Sequence, residues 1–159
     1  MQPNDPSKFT EKAWSAIART PDIVKQASQQ QLEPEHLMQA LLEQEGLAAS
    51  IFKKVGVPLG DLRDRTQAFI NRQPKVSGSG ESVYWGSNLS ALFDRADDHR
   101  KKFDDDYISI EHIVLGYAKD KRFGQELLKG FGVSEQDLHK AIEQIRGNQK
   151  VTDQNPEGK

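Results

Sequence analysis

Four histidines, a run of three aspartates and two glutamate-histidine pairs are the side chains of this sequence best suited to chemistry. His36, His99, His112 and His139 are the only soft metal ligands, because the chain has no cysteine. That absence also excludes a disulfide scaffold, thiolate catalysis and cysteine-held zinc. His36 and His112 fall at equivalent positions of two separate halves, so the ordinary reading is of structural or surface imidazoles, not a shared metal site. Asp104-Asp105-Asp106 lacks the turn glycine and terminal glutamate of a calcium loop, which leaves a solvated loop or a partner-facing patch. Glu35 and Glu111 read as first-turn carboxylates, which the helix dipole favours without any further role. No phosphate-binding, dinucleotide, zinc-protease or nucleophile-elbow motif is present, and Gly78-Ser79-Gly80 has the composition of a connector. No catalytic residue, metal or cofactor is expected for the chain itself.

The bulk properties agree with a binding module. A length of 159 residues suits one domain with a single core. With 22 basic against 24 acidic residues the net charge is -2, so no global field draws the chain to nucleic acid or to an anionic membrane. Lys53-Lys54 and Arg100-Lys101-Lys102 are short, mixed with acids, and read as helix-end charges. The opening MQPNDPSKFTEK lacks the basic start and apolar run of a signal peptide, and no stretch approaches the roughly 18 apolar residues of a membrane span. A cytoplasmic location and, given the hydrophilic composition, a monomeric isolated domain are the expectations.

The elements that must position these residues come in two copies. Shifting the sequence by 76 residues places Glu35-His36 on Glu111-His112, Gly56-Val57 on Gly132-Val133 and Asp61-Leu62 on Asp137-Leu138 without a gap. Phe9 then meets Trp85, Ile17 meets Phe93, Leu32 meets Ile108 and Ile51 meets Leu127, which keeps apolar character in register. The expected fold is all-α: a pseudo-two-fold duplicated four-helix repeat with about eight helices in one domain spanning residues 3–146. Repeat one covers 9–71, a connector 72–84, repeat two 85–146, and 147–159 reads as a linker with almost nothing to bury.

Helix by helix, the first spans about 8–29 on the stripe Phe9, Ala13, Trp14, Ile17 and Ala18, with a kink or restart at Pro21. Its counterpart opens at Asn88 as N-cap. Pro34 and Ser109 start the second helices, Gly56 and Gly132 end the third, and Pro58 and Ser134 open the fourth. Phe9, Trp14, Phe52, Phe69 and Phe93 read as core. Tyr84 and Trp85 follow the connector, one as a lid over the core and the other partly exposed.

The segments KFTEKAWSAI, LEPEHLMQALLEQEG, YISIEHIVLGYAKD and AIEQIRGNQKVTDQNPEGK together resemble the double Clp amino-terminal repeat of the AAA+ Clp/Hsp100 family, most closely its ClpB disaggregase branch, in a cyanobacterial-like version. The resemblance covers essentially the whole chain. It implies a substrate-recognition domain, flexibly tethered to hexameric ATPase modules that use ATP and magnesium, thread polypeptides extracted from aggregates and act with the DnaK chaperone system. Unfolded or aggregated polypeptides are the implied partners, with no nucleic acid or membrane among them; the alternative is an adaptor- and substrate-docking domain of a protease-partnered ClpC/ClpA-type unfoldase. The family's acidic pair falls on Asp105 and Glu111. Its threonine falls on Pro6 with Ser7 alongside, and its apolar groove positions fall near Phe93, Arg95, His99 and His112, of which only Phe93 is apolar. The candidate substrate-binding residues are therefore Asp105, Glu111, Phe93, Ser7 and His112. They belong to a groove between the first helix and the junction from Asp105 to His112, with Tyr84-Trp85 near its mouth.

Overall fold

A computed structural model describes residues 3–77 and 82–156; the connector reading of Gly78-Ser79-Gly80 lies outside the described residues. Within them the chain forms eight helices, four in each half: α1 Glu11–Gln26, α2 Pro34–Glu43, α3 Leu47–Lys54 and α4 Leu59–Arg72, then α5 Ser87–Lys102, α6 Ile110–Tyr117, α7 Gly124–Gly130 and α8 Glu135–Arg146. A two-residue parallel pair, β1 Gln31–Leu32 with β2 Tyr84–Trp85, is the one named sheet.

The halves clasp each other reciprocally. Leu32 of repeat one pairs with Trp85, and the bridge Phe9 to Ile108 is the same pairing with the repeats exchanged. The Gly86 N–H donates to the Leu32 carbonyl at 2.9 Å, and the Thr10 N–H to the Ile108 carbonyl at 3.0 Å. This is the duplicated four-helix architecture that the 76-residue register predicts, and the exchange makes one shared core of two small units. Phe9, Leu41, Ile51, Phe52, Leu89, Phe93, Ile113 and Leu115 are all fully buried in it.

Every residue of α6 is buried; from Ile113 onward it is apolar apart from the Tyr117 hydroxyl, while Glu111 and His112 in its first turn are buried in a polar cluster. The α5 and α6 backbones approach closely enough that a Cβ on Gly116 would lie 2.9 Å from the Leu92 carbonyl oxygen and 3.3 Å from the Ala96 nitrogen. Gly116→Ala is therefore expected to force these helices apart and destabilise the domain by about 1–3 kcal/mol. Urea unfolding followed by circular dichroism measures this, and an unchanged midpoint would show that the pair relaxes freely.

Several local expectations are corrected. α1 runs unbroken through Pro21. Proline removes the N–H that would bond to the Ile17 carbonyl, and the Thr20 hydroxyl donates to that same oxygen at 2.7 Å. α5 opens at Ser87 with Gly86, not Asn88, as its N-cap. A Cβ at Gly86 would collide with the Glu33 carboxylate and lie 2.9 Å from the Leu32 oxygen, so the strand pairing itself demands glycine there. Gly56 and Gly132 do end the third helices, at φ of 85° and 75°. Phe69 is not core: it stacks on Phe123 at 3.9 Å, half-buried at the seam between repeats.

The chain after α8 is also not an unattached linker over its described part. Val151 is buried, its N–H donates to Asp105 Oδ1 at 2.9 Å, and its carbonyl accepts from the Asp106 N–H at 2.8 Å. Gln154 accepts from the Glu11 N–H through its carbonyl, and its amide donates to the Pro6 and Phe9 carbonyls. One buried valine supplies the apolar anchor that the polar composition of this segment concealed.

Candidate functional site

The two histidines at the starts of α2 and α6 are positioned identically. Each is the third residue of its helix, and its Nδ1 accepts the N–H of the N-cap residue: Glu33 to His36 at 3.0 Å, Ser109 to His112 at 2.9 Å. The Nε2 atoms then face Gln29 Oε1 at 2.8 Å and Asp105 Oδ2 at 2.7 Å. With Nδ1 accepting, the hydrogen sits on Nε2 in both rings, so each imidazole uses both nitrogens inside the protein. Both rings are buried. Gln29 and Asp105 are equivalent in the 76-residue register, and each follows a residue in the left-handed conformation, Ser28 at φ 58° and Asp104 at φ 59°. That turn divides the acidic run: Asp104 and Asp106 are exposed while Asp105 is buried, so the solvated-loop reading fails for Asp105.

Arg146, at the end of α8, ties the repeat-two cluster together. Its guanidinium meets Asp105 Oδ1 at 2.6 Å and Oδ2 at 2.8 Å, reaches Glu111 Oε2 at 3.4 Å, and lies 4.5 Å above the Phe103 ring. Nε and Nη2 also donate to the Gln149 carbonyl, which starts the docked tail. The Glu111 carboxylate accepts in addition from the Ser109 hydroxyl. Burial alone would raise the Asp105 carboxyl, but the hydrogen bonds from His112, Arg146 and the Val151 N–H hold it well below the ordinary carboxylate range.

Repeat one solves the same problem with a residue from the other half. Arg122, between α6 and α7, pairs with Glu35 through Nε at 3.0 and 3.2 Å and with Glu33 at 3.4 Å, and it stacks over Phe69. Burial pushes the Glu35 carboxyl up to about 7 against the pull of Arg122, and burial and Arg122 together push His36 down to about 4.

The two halves differ at the position equivalent to Arg122, which is Gly46. A Cβ at Gly46 would meet nothing within 4 Å, and there a cleft of about 490 Å³ opens beside Glu111. Its lining joins Lys12 of α1, Leu47 and Ile51 of α3, Ile110 and Glu111 of α6, Ile142, Ile145 and Arg146 of α8, and Val151 of the tail. Ile145 is 40% exposed, the most open of its large aliphatic groups. The cleft therefore has an aliphatic floor with a charged rim, a shape and chemistry suited to a short apolar polypeptide segment.

Of the five residues expected to contact substrate, Asp105, Glu111 and His112 are brought together in one cluster, and among them Glu111 lines the cleft. The expectation that Phe93 and His112 face substrate directly is corrected, since both are fully buried: Phe93 packs edge-on against Phe9 and Trp85 inside the core. Ser7 is exposed and lies in a short turn capped by Asp5, its N–H and hydroxyl donating to Asp5 Oδ1 at 3.0 and 2.6 Å. Arg95 and His99 are used within the fold, by the Gly116 carbonyl and Glu135 respectively. Tyr84 is exposed and Trp85 packs on the core, and neither lines this cleft. Sequence reasoning missed Arg146, Arg122 and Gly46. The repeat register held the signal, because it sets Arg146 against Ile70 and Arg122 against Gly46, two places where the halves part company.

Among the described residues no group of three histidine, aspartate or glutamate side chains is arranged to hold a metal ion, and no helix is long and apolar enough to cross a membrane. Comparison with known proteins gives a consistent picture. The Clp repeat N-terminal domain family matches residues 8–131. The chaperone protein ClpB of Leptolyngbya boryana is 62% identical over 100% of this chain, and ClpB 2 of a Nostoc species is 60% identical over the same share; the chain spans 18% of the length of each. The Hsp104 N-terminal domain of Candida albicans superposes with a TM-score of 0.84 at 19% identity, over 94% of this chain and 99% of that one, which shows the shared fold.

Proposed function

Because this chain belongs to the Clp repeat N-terminal domain family, we propose that it is the capture module of a protein disaggregase, holding exposed segments of unfolded or aggregated polypeptides in the cleft beside Gly46. It is the repeat domain and not an ATPase module, and no nucleotide-binding loop occurs in its sequence. ATP and magnesium, the hexameric threading machinery and cooperation with the DnaK chaperone system belong, in this reading, to the longer protein of which such a domain is about a fifth.

The observation that carries the reading is the broken symmetry at Gly46: where repeat one is plugged by Arg122, a cleft remains beside Glu111 whose lining includes the exposed aliphatic side chain of Ile145. Burial of one aliphatic side chain on that floor contributes about 1.5–3 kcal/mol. Ordering an unfolded segment offsets much of it, so capture by one domain is weak and release is easy. Several domains tethered to one assembly recover the affinity through effective concentration. In this reading Asp105 and His112 are positioning residues: they hold Arg146, and through it Glu111 and the tail wall of the cleft.

Gly46→Arg tests it, since a Cβ there would meet nothing within 4 Å. With reduced, carboxymethylated α-lactalbumin as the unfolded probe, amide shifts should concentrate at Leu47, Ile110, Ile145 and Val151. The folded variant should bind about tenfold more weakly, a change of about 1.4 kcal/mol. Unaltered binding by a folded Gly46→Arg chain would place capture elsewhere.

A further inference from the structure

The cleft's charge says more about its occupant than its shape does. Three cations line it, Lys12, Arg146 and Lys150, against one carboxylate, Glu111. Arg146 is already neutralised by Asp105 and Glu111. Lys12 and Lys150 are exposed, and among the described residues neither has a carboxylate within ion-pair distance. Lys150 Nζ donates to the Phe103 carbonyl, a neutral acceptor that leaves its charge uncancelled. This positive rim stands on a chain whose net charge is -2, so it is a local feature and not a reflection of overall composition. The apolar side chains of the lining are aliphatic, Leu47, Ile51, Ile110, Ile142, Ile145 and Val151, with no aromatic ring among the lining residues.

Resting on the reading of this cleft as the capture site, we infer that it selects aliphatic segments flanked by aspartate or glutamate. The aliphatic run lies on the floor, while the flanking carboxylates meet Lys12 from α1 and Lys150 from the tail. A lysine-flanked segment would set like charges against both. Because the ammonium groups are exposed, each pair adds modestly and is screened by salt, so discrimination falls as ionic strength rises.

Three labelled peptides sharing one four-residue Leu/Ile/Val core, flanked by Asp-Glu, by Ser-Gln or by Lys-Lys, test the inference by fluorescence anisotropy and amide-shift mapping. The acidic peptide should bind about fivefold more tightly than the neutral one at low salt, as expected for two exposed ion pairs, with the advantage shrinking in 0.5 M salt. The lysine peptide should bind most weakly. Lys12→Glu with Lys150→Glu should reverse the order, and Lys12→Glu alone, on the exposed face of α1, should remove part of the preference without touching the tail. Equal affinity for acidic and neutral peptides, or an order unmoved by charge reversal, would overturn the selectivity while leaving the capture site in place. Failure of all three to shift Ile110 and Val151 would overturn the capture site and the selectivity with it.

Discussion

Arg146→Ala should destabilise the domain by about 3–5 kcal/mol, the loss expected when one partner of a buried ion pair is removed. The substitution strands two carboxylates, because the Asp105 side chain is 0% exposed and that of Glu111 only 7%. It also releases the Gln149 carbonyl and with it the start of the docked tail. For a domain of this size the melting temperature should fall by roughly 10 °C. Acid sensitivity should change as well. Asp105 is held below its ordinary 3.8, so its stabilising contribution is fully present above that value and is lost as pH falls through the folded one. Without Arg146 the hold weakens, so the loss on acidification still begins near 3.8 but is smaller and is complete at a higher pH. Urea titrations at neutral and acidic pH measure both effects; a loss below about 1 kcal/mol would mean that the cluster behaves as a surface ion pair.

Glu35→Gln should expose a pH dependence that the wild-type chain conceals. Burial raises Glu35 from its ordinary 4.5 to about 7, so between those values the folded chain keeps a proton that the unfolded chain gives up. Through this group alone, stability falls as pH rises. Burial lowers its neighbour His36 from 6.5 to about 4, so between those values the unfolded chain takes up a proton that the folded chain refuses. Through that group, stability rises with pH. Each contribution amounts to about 3 kcal/mol over its window, and between about pH 4.5 and 6.5 the slopes oppose and cancel. Glu35→Gln removes only the first. The variant should therefore gain about 3 kcal/mol between pH 4 and 6.5, while the contribution of this pair to the parent is flat from 4.5. Denaturant midpoints across that range decide it: parallel profiles for parent and variant would show that Glu35 does not carry a proton in the folded chain.

The duplication and the ends of most helices were legible because they depend on local rules. Gly56 and Gly132 adopt the left-handed backbone that closes a helix, and Ser134 with Asp137 forms the reciprocal cap its spacing suggests. The failures came where a distant group changed the local preference. Pro21 reads as a kink or a restart, and the restart does not occur: the Thr20 hydroxyl satisfies the carbonyl that the proline orphans. Asn88 is the better cap by residue type, yet the strand pairing at Leu32 places Gly86 there. The polar tail lacks an apolar stripe and still docks, because Asp105 accepts its backbone N–H and one valine finds a pocket.

By itself, the sequence determined that the chain is a duplicated helical domain without the motifs of catalysis, which follows from periodicity, turn chemistry and internal register; the choice of Asp105, Glu111 and His112 as candidates was implied only by the resemblance to the Clp repeat family. The tertiary structure alone decided that Asp105 and His112 face inward, that Phe93 belongs to the core, and that Arg146 and Arg122, both of repeat two, pair with the equivalent residues Glu111 and Glu35. It also decided where the cleft lies. A cavity is set by which side chains from separate elements fail to meet, and the missing arm at Gly46 becomes a site only once α1, α3, α6, α8 and the tail have closed around it.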